Sequence, residues 1–71
     1  MSVAIDHVHI TTRETEVIHW MAEGKTMPEI GIILGISYAT VNTHIRSAKQ
    51  KIGVFKDTAL VAKALRQGLI Q

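Results

Sequence analysis

The feature that most restricts this chain is its punctuation. Thr11 and Thr26 each stand three residues before a glutamate, Glu14 and Glu29, and the two segments they open close on Gly24 and Gly35. In such a box the threonine hydroxyl accepts from the backbone N–H three residues on. The glutamate reaches back to the threonine N–H, so the pattern marks a helix start. A glycine just past the last turn marks a helix stop. Ser37 with Gly53, and Asp57 with Gly68, repeat the start and stop with simpler caps. The spacing therefore predicts helices over residues 12–23, 27–34, 38–52 and 57–67. Helices this short hold poorly in water by themselves and must bury their apolar faces against one another. The expected fold class is all-α, a four-helix bundle.

Seventy-one residues make one domain. A chain of this size buries only ~60% of its unfolded surface and often leans on a partner, a metal or a disulfide. With no Cys, disulfides and Cys-based zinc sites are excluded. A composition 46% hydrophobic but only 4% aromatic points to an aliphatic core. No apolar run approaches the ~20 residues of a membrane span, and the N-terminus lacks the regions of a signal peptide, so no membrane role and a cytoplasmic location are expected. Residues 1–10 alternate apolar and polar (Val3, Ile5, Val8, Ile10) but are too few and isolated for a sheet. They read as an arm or linker before a domain of residues 11–71. His7 and His9 form an H-x-H pair, but no Cys, third His or carboxylate pair nearby completes a metal site, and exposed linker histidines is the expected reading.

At ~100° per residue, Val17, Ile18, Trp20, Met21 and Ala22 share the apolar face of the first helix, with Thr15, Glu16, His19 and Glu23 opposite. Glu14 falls inside that apolar arc. A carboxylate there requires a cation or backbone donors, and Lys51 is the candidate for a structural ion pair. In the second helix, Pro28 sits in the tolerant first turn and Ile30, Ile33 and Leu34 form the apolar side. Gly31 permits close helix approach, and Ile36 is expected to plug the corner after Gly35. Val54 and Phe55 are expected to return to the core after Gly53. Asp57 is expected to cap the fourth helix, with Leu60, Val61, Ala64 and Leu65 packed inward.

The third helix points to function. Val41, Ile45, Ala48 and Ile52 fall in a stripe of ~60°, the seam of a helix laid against two others. Opposite them lie Ala39, Asn42, Thr43, Arg46 and Gln50, with Lys49 on the flank. From Ser37 to Lys56 there is no acidic residue, whereas a helix merely facing solvent usually mixes in Glu or Asp. Small residues early, then Arg and Lys, suit a helix that places its N-terminal half in the major groove of DNA. Charge is distributed accordingly. Up to Ala39 two basic residues stand against five acidic, and from Thr40 onward six basic residues face only Asp57, which fits one basic surface for a polyanion.

Beyond these patterns, the chain resembles the DNA-binding domain of LuxR-type, GerE-like regulators. The resemblance rests on TxRExEV, GKTxxEI, ILxISxxTVxxH and KxGV at their combined spacing, and on LVAKALRQGLI after them, and it spans Ile10 to Ile70. Trp20, Ala22, Gly24 and Lys25 are most similar to the acyl-homoserine-lactone quorum-sensing branch. What the resemblance implies is a homodimer on a palindromic promoter element, with residues 38–52 in the major groove of double-stranded DNA, the fourth helix at the two-fold interface, and RNA polymerase as a further partner. Carried over by position, the base-facing residues are Asn42, Thr43 and Arg46, already singled out by helix geometry. The phosphate set, which only the resemblance supplies, is Lys25, Thr26, Ser37, Thr40, His44 and Lys49.

Periodicity places Thr58, Ala59 and Ala62, flanked by Lys63 and Arg66, away from the core of the fourth helix. They form either a dimer seam or simply a helix-favouring run of alanine. His44 is open between a phosphate contact and a half-buried hydrogen-bonding role, Tyr38 between touching the backbone of DNA and covering the turn. Ser37 and Thr40 are caps before they are contacts. Two positions depart from the family: Asp57 stands where Arg is common, and Asn42 where a larger or basic residue is common. Quorum-sensing members carry a signal-binding domain before this one, which residues 1–10 cannot form, so the chain is expected to be either a piece of such a regulator or a stand-alone GerE-type protein. The competing function is a small dimerisation module that sequesters full-length regulators without useful DNA binding. Four His without a convergent carboxylate or Cys give no catalytic constellation, and no cofactor motif or small-molecule site is found, so no enzyme is expected.

Overall fold

The structure is a computed structural model and describes residues 9–71. Among them are four helices and no strand: α1 (Thr12–Ala22), α2 (Met27–Leu34), α3 (Tyr38–Ile52) and α4 (Asp57–Arg66). Both threonine boxes close as expected. Glu14 N–H donates to Thr11 Oγ1 at 3.1 Å, and Thr11 N–H donates to Glu14 Oε1 at 2.9 Å. The matching pair at α2 measures 3.3 Å and 2.8 Å. At the far end of α1, Gly24 N–H bonds Met21 O and Lys25 N–H bonds Trp20 O, which stops the helix at Ala22 with Glu23 as its cap, one residue short of expectation. The last helix likewise ends at Arg66 rather than residue 67.

Packing centres on α3, which touches α1, α2 and α4. α1 also touches α2 and α4, whereas α2 and α4 do not meet. The predicted seam is the centre of the core: Val41, Ile45, Ala48 and Ile52 are all buried, together with Val17 and Ile18 of α1, Ile30 of α2, and Leu60 and Ala64 of α4. The chain after Gly68 turns back, with Leu69 N–H bonded to Ala64 O, and buries Ile70, a core residue that periodicity did not assign. Ile10 is half-buried against the same core.

The corner between α2 and α3 is built by two glycines. A Cβ on Gly31 would lie 2.8 Å from the Ile36 carbonyl oxygen, so only glycine lets the backbone after α2 come this close. Gly35 takes a left-handed φ of 71°, and Ile36 N–H then bonds Gly31 O at 2.9 Å. The buried Glu14 also finds its expected partner. Lys51 Nζ donates to both carboxylate oxygens, at 2.9 and 3.1 Å, and Glu14 as a residue is 3% exposed. Burial by itself would push the Glu14 carboxyl up, but the Thr11 backbone N–H, the Lys51 ammonium and the Ser47 side chain outweigh it and hold it below the ordinary glutamate value.

Several apolar side chains do not go where periodicity sent them. Phe55, expected in the core, is 95% exposed, because the short connection from α3 to α4 turns it outward while Val54 packs inward. Leu65 and Ile33 lie at the edges of their helices' buried arcs and are exposed, and Ala22 is exposed in the last turn of α1. Asp57 does not cap α4 with its side chain. Lys56 occupies the cap position without a side-chain bond, and Asp57 is drawn instead to Lys49 on α3.

Candidate nucleic-acid interface

The outward side of α3 is held by the buried seam behind it and by a tied N-terminus. Ser37 Oγ accepts from Thr40 N–H at 3.1 Å and lies 2.9 Å from Thr40 Oγ1, so both hydroxyls meet at the exposed start of the helix. Thr43 and Arg46 are exposed and Asn42 is half-buried, on consecutive turns of one face. The Thr43 hydroxyl donates to Ala39 O at 3.0 Å. Its proton is thus used inside the helix, and what it offers outward is an acceptor oxygen and a methyl group. Arg46 has no carboxylate partner among the described residues, which leaves its planar fork of donors available.

The residues assigned to phosphates differ in availability. Lys25 and Thr26 are exposed at the start of α2, but they share it with Glu29, whose carboxyl the Thr26 backbone N–H and hydroxyl hold below the ordinary value, with Lys25 adding to the effect. His44 is half-buried beside the seam, and Tyr38 is exposed at the first turn of α3. Lys49 is half-buried and engaged: its Nζ lies 2.9 Å from Asp57 Oδ1 and 3.4 Å from the Phe55 carbonyl oxygen. The one acidic residue after Thr40 therefore sits on a cation of the basic surface, a pairing that no helical periodicity could reveal because it crosses from α3 to α4.

Along α4, Thr58 and Arg66 are exposed while Ala59, Ala62 and Lys63 are half-buried. Lys63 Nζ lies 3.4 Å from the Ile52 carbonyl oxygen and ties α4 to the end of α3. Because α2 and α4 do not meet, an open groove of about 660 Å³ lies between them, lined by Met21, Met27, Thr58, Val61, Ala62 and Leu65 among others and floored by Ile45. A second hollow of about 600 Å³ runs along α3 from Thr43 and Arg46 to Gln50, with Val54 and Phe55 at its far end. Val61 packs against the core as expected while also lining the groove. Sequence reasoning missed Leu65 and Phe55 as surface residues: the apolar arc of a short helix looks the same whether one neighbour or two cover it, and Phe55 lies in the connection after α3, where no periodicity applies. Among the described residues no group of three or more His, Cys, Asp or Glu gathers to hold a metal, and the expectation for His7 lies outside the described residues.

Two helices joined by the turn at residues 35–37, with the second presenting a polar and basic side free of carboxylates, define a helix-turn-helix domain. The chain belongs to the luxR family of bacterial regulatory proteins, whose family description matches residues 8–64. It is 47% identical over 62 residues to the quorum sensing-dependent transcriptional regulator RpaR of Rhodopseudomonas palustris, covering 87% of this chain and 26% of that protein. To the transcriptional activator SolR of Ralstonia solanacearum it is 48% identical over 61 residues, 86% of this chain and 26% of that one. The chain thus spans about a quarter of the length of these relatives. Among solved structures, the transcription factor GerE superposes with a TM-score of 0.83 at 33% identity, covering 86% of this chain and 91% of GerE. Escherichia coli SdiA superposes with a TM-score of 0.84 at 40% identity, covering 92% and 27%. The family is one of transcription regulators rather than enzymes; its helix-turn-helix domains bind DNA and its members act as dimers. No helix among the described residues is long and apolar enough to cross a membrane.

Proposed function

We propose that this chain is the DNA-reading module of a quorum-sensing transcription regulator and binds a palindromic promoter site as a homodimer. The observation that carries the reading is the outward face of α3, which is solvent-facing, free of carboxylates, and fixed from behind by Val41, Ile45, Ala48 and Ile52. In this reading Arg46 spans the O6 and N7 edge of a guanine, Asn42 suits the matching edge of adenine, and Thr43 meets a base amino group or a thymine methyl with the acceptor and methyl it has left. Lys25, Thr26, Ser37, Thr40, His44 and Lys49 set the register on phosphates. Thr58, Ala59, Ala62, Lys63 and Arg66 bring the second protomer to the two-fold axis, which a palindromic site requires because one such module reads only half of it. Residues 1–10 are the arm or linker ahead of the domain, RNA polymerase is the further partner, and the cytoplasm is where all of these meet.

The test is to select a duplex for this chain from a random pool and measure its affinity for single-base variants. Arg46→Ala should relax preference at one base pair per half-site by about 1–3 kcal/mol. Uniform weakening over all variants would reduce Arg46 to a phosphate contact. Equal binding of selected and scrambled duplexes by the unaltered protein would favour the alternative, a dimerising module that sequesters longer regulators.

A further inference from the structure

Phe55 is the most exposed large apolar side chain among the described residues, and its position is not arbitrary. It stands at one end of the hollow whose other end is Thr43 and Arg46, the residues proposed to face bases. Its backbone is held: Gly53 and Val54 N–H groups both bond Lys49 O, and Lys49 Nζ reaches the Phe55 carbonyl oxygen while paired with Asp57. The ring is therefore presented from a fixed loop. No acidic residue lines the hollow, and Ser47, Gln50 and Arg46 supply hydrogen-bonding groups along its length. From Thr43 to Gln50 the helix advances about 10 Å, comparable to roughly three base-pair steps of rise along a duplex axis.

We infer that this hollow seats one sugar–phosphate strand flanking the base-reading contacts, and that Phe55 packs its ring against a deoxyribose there. The inference rests on the reading that puts α3 in the major groove. The chemistry fits a nucleic-acid strand better than a protein surface: the walls are basic and amide-bearing, the hollow is continuous with the base-reading side chains, and a deoxyribose is the apolar part of a strand that a ring can cover. Phe55 adds affinity without neutralising charge. That separates it from every lysine and arginine on this face, because only charge neutralisation changes the dependence of binding on salt.

The experiment compares the full chain with Phe55→Ala, Phe55→Leu and Arg46→Ala on the selected duplex and on its single-base variants, over a salt series. Phe55→Ala is expected to lower affinity roughly tenfold by removing a ring that becomes covered on binding. The slope of log affinity against log salt and the ranking of variants should stay unchanged, and Phe55→Leu should recover part of the loss. Thermal melting should match the unaltered chain, since the ring has no cover to lose. Unchanged affinity in Phe55→Ala, with Arg46→Ala still altering base preference, overturns this inference and leaves the base-reading assignment standing. A slope that flattens by about one, or a loss confined to duplexes carrying one particular base, overturns the sugar contact. A loss of dimer in sedimentation of the free protein assigns Phe55 to a protein contact and overturns it as well. If Arg46→Ala leaves base preference intact, the groove placement of α3 fails first, and this inference with it.

Discussion

Removing the charge of Glu14 tests the link between packing and electrostatics most directly. The carboxylate accepts from the Thr11 backbone N–H and twice from Lys51 Nζ, at 2.9 to 3.1 Å, and Glu14 as a residue is 3% exposed. Glu14→Gln keeps an acceptor for the Thr11 N–H but leaves the Lys51 ammonium without its counter-charge. Breaking a fully buried pair costs about 3–5 kcal/mol. The Lys51 side chain is 31% exposed and can turn toward water, so the expected cost is smaller, about 1–2 kcal/mol. A domain of this length holds in total only ~4–10 kcal/mol. The melting temperature should therefore fall by roughly 5–15 °C at neutral pH, followed by circular dichroism. The sign of the pH dependence is fixed by the lowered carboxyl. Its stabilisation is complete above the unfolded value of ~4.3 and is lost as pH falls through the folded-state value, so the gap between the two proteins should close in acid. A variant melting within about 2 °C of the unaltered chain at neutral pH, or a gap that does not narrow at all as the pH is lowered into acid, would refute the reasoning.

Two further outcomes follow from contacts in the structure. Asp57→Asn releases Lys49 from an exposed pair worth about 0–1 kcal/mol, so stability should barely change while the salt slope of DNA binding steepens by about 0.9 per protomer; an unaltered slope would remove Lys49 from the phosphate set. Gly31→Ala pushes a Cβ to 2.8 Å from the Ile36 carbonyl oxygen, and should cost about 1–3 kcal/mol in urea unfolding. A net gain in stability would mean that helix propensity wins and that the corner can open.

What was legible in the sequence was whatever depended on local chemistry or on one helix face. The caps at Thr11, Thr26 and Ser37 need only neighbours three residues away, so helix starts could be read directly. The α3 seam follows from periodicity, and the Glu14–Lys51 pair could be anticipated because a carboxylate in an apolar arc has few ways to be satisfied. The failures share a different cause. Phe55, Leu65 and Ile33 are apolar residues whose burial depends on how many neighbours a helix or loop receives, and that number is set by the tertiary arrangement. Asp57 chose Lys49, eight residues back across a turn, over the cap it could have made. For the interface, helix geometry found the outward face of α3, while the pairing of Lys49 and the hollow ending at Phe55 needed α3 and the loop after it placed together.

The packing of α3 against all three other helices has a consequence for control. α3 is wedged among three neighbours, and its seam is the core, so it has no room to pivot without unpacking the domain. A force applied at α4 reaches the reading face as a displacement of the whole body. A fold packed in this way leaves control easiest to exert from outside it: where the domain is held, and how far apart two such domains stand, can change without disturbing the seam.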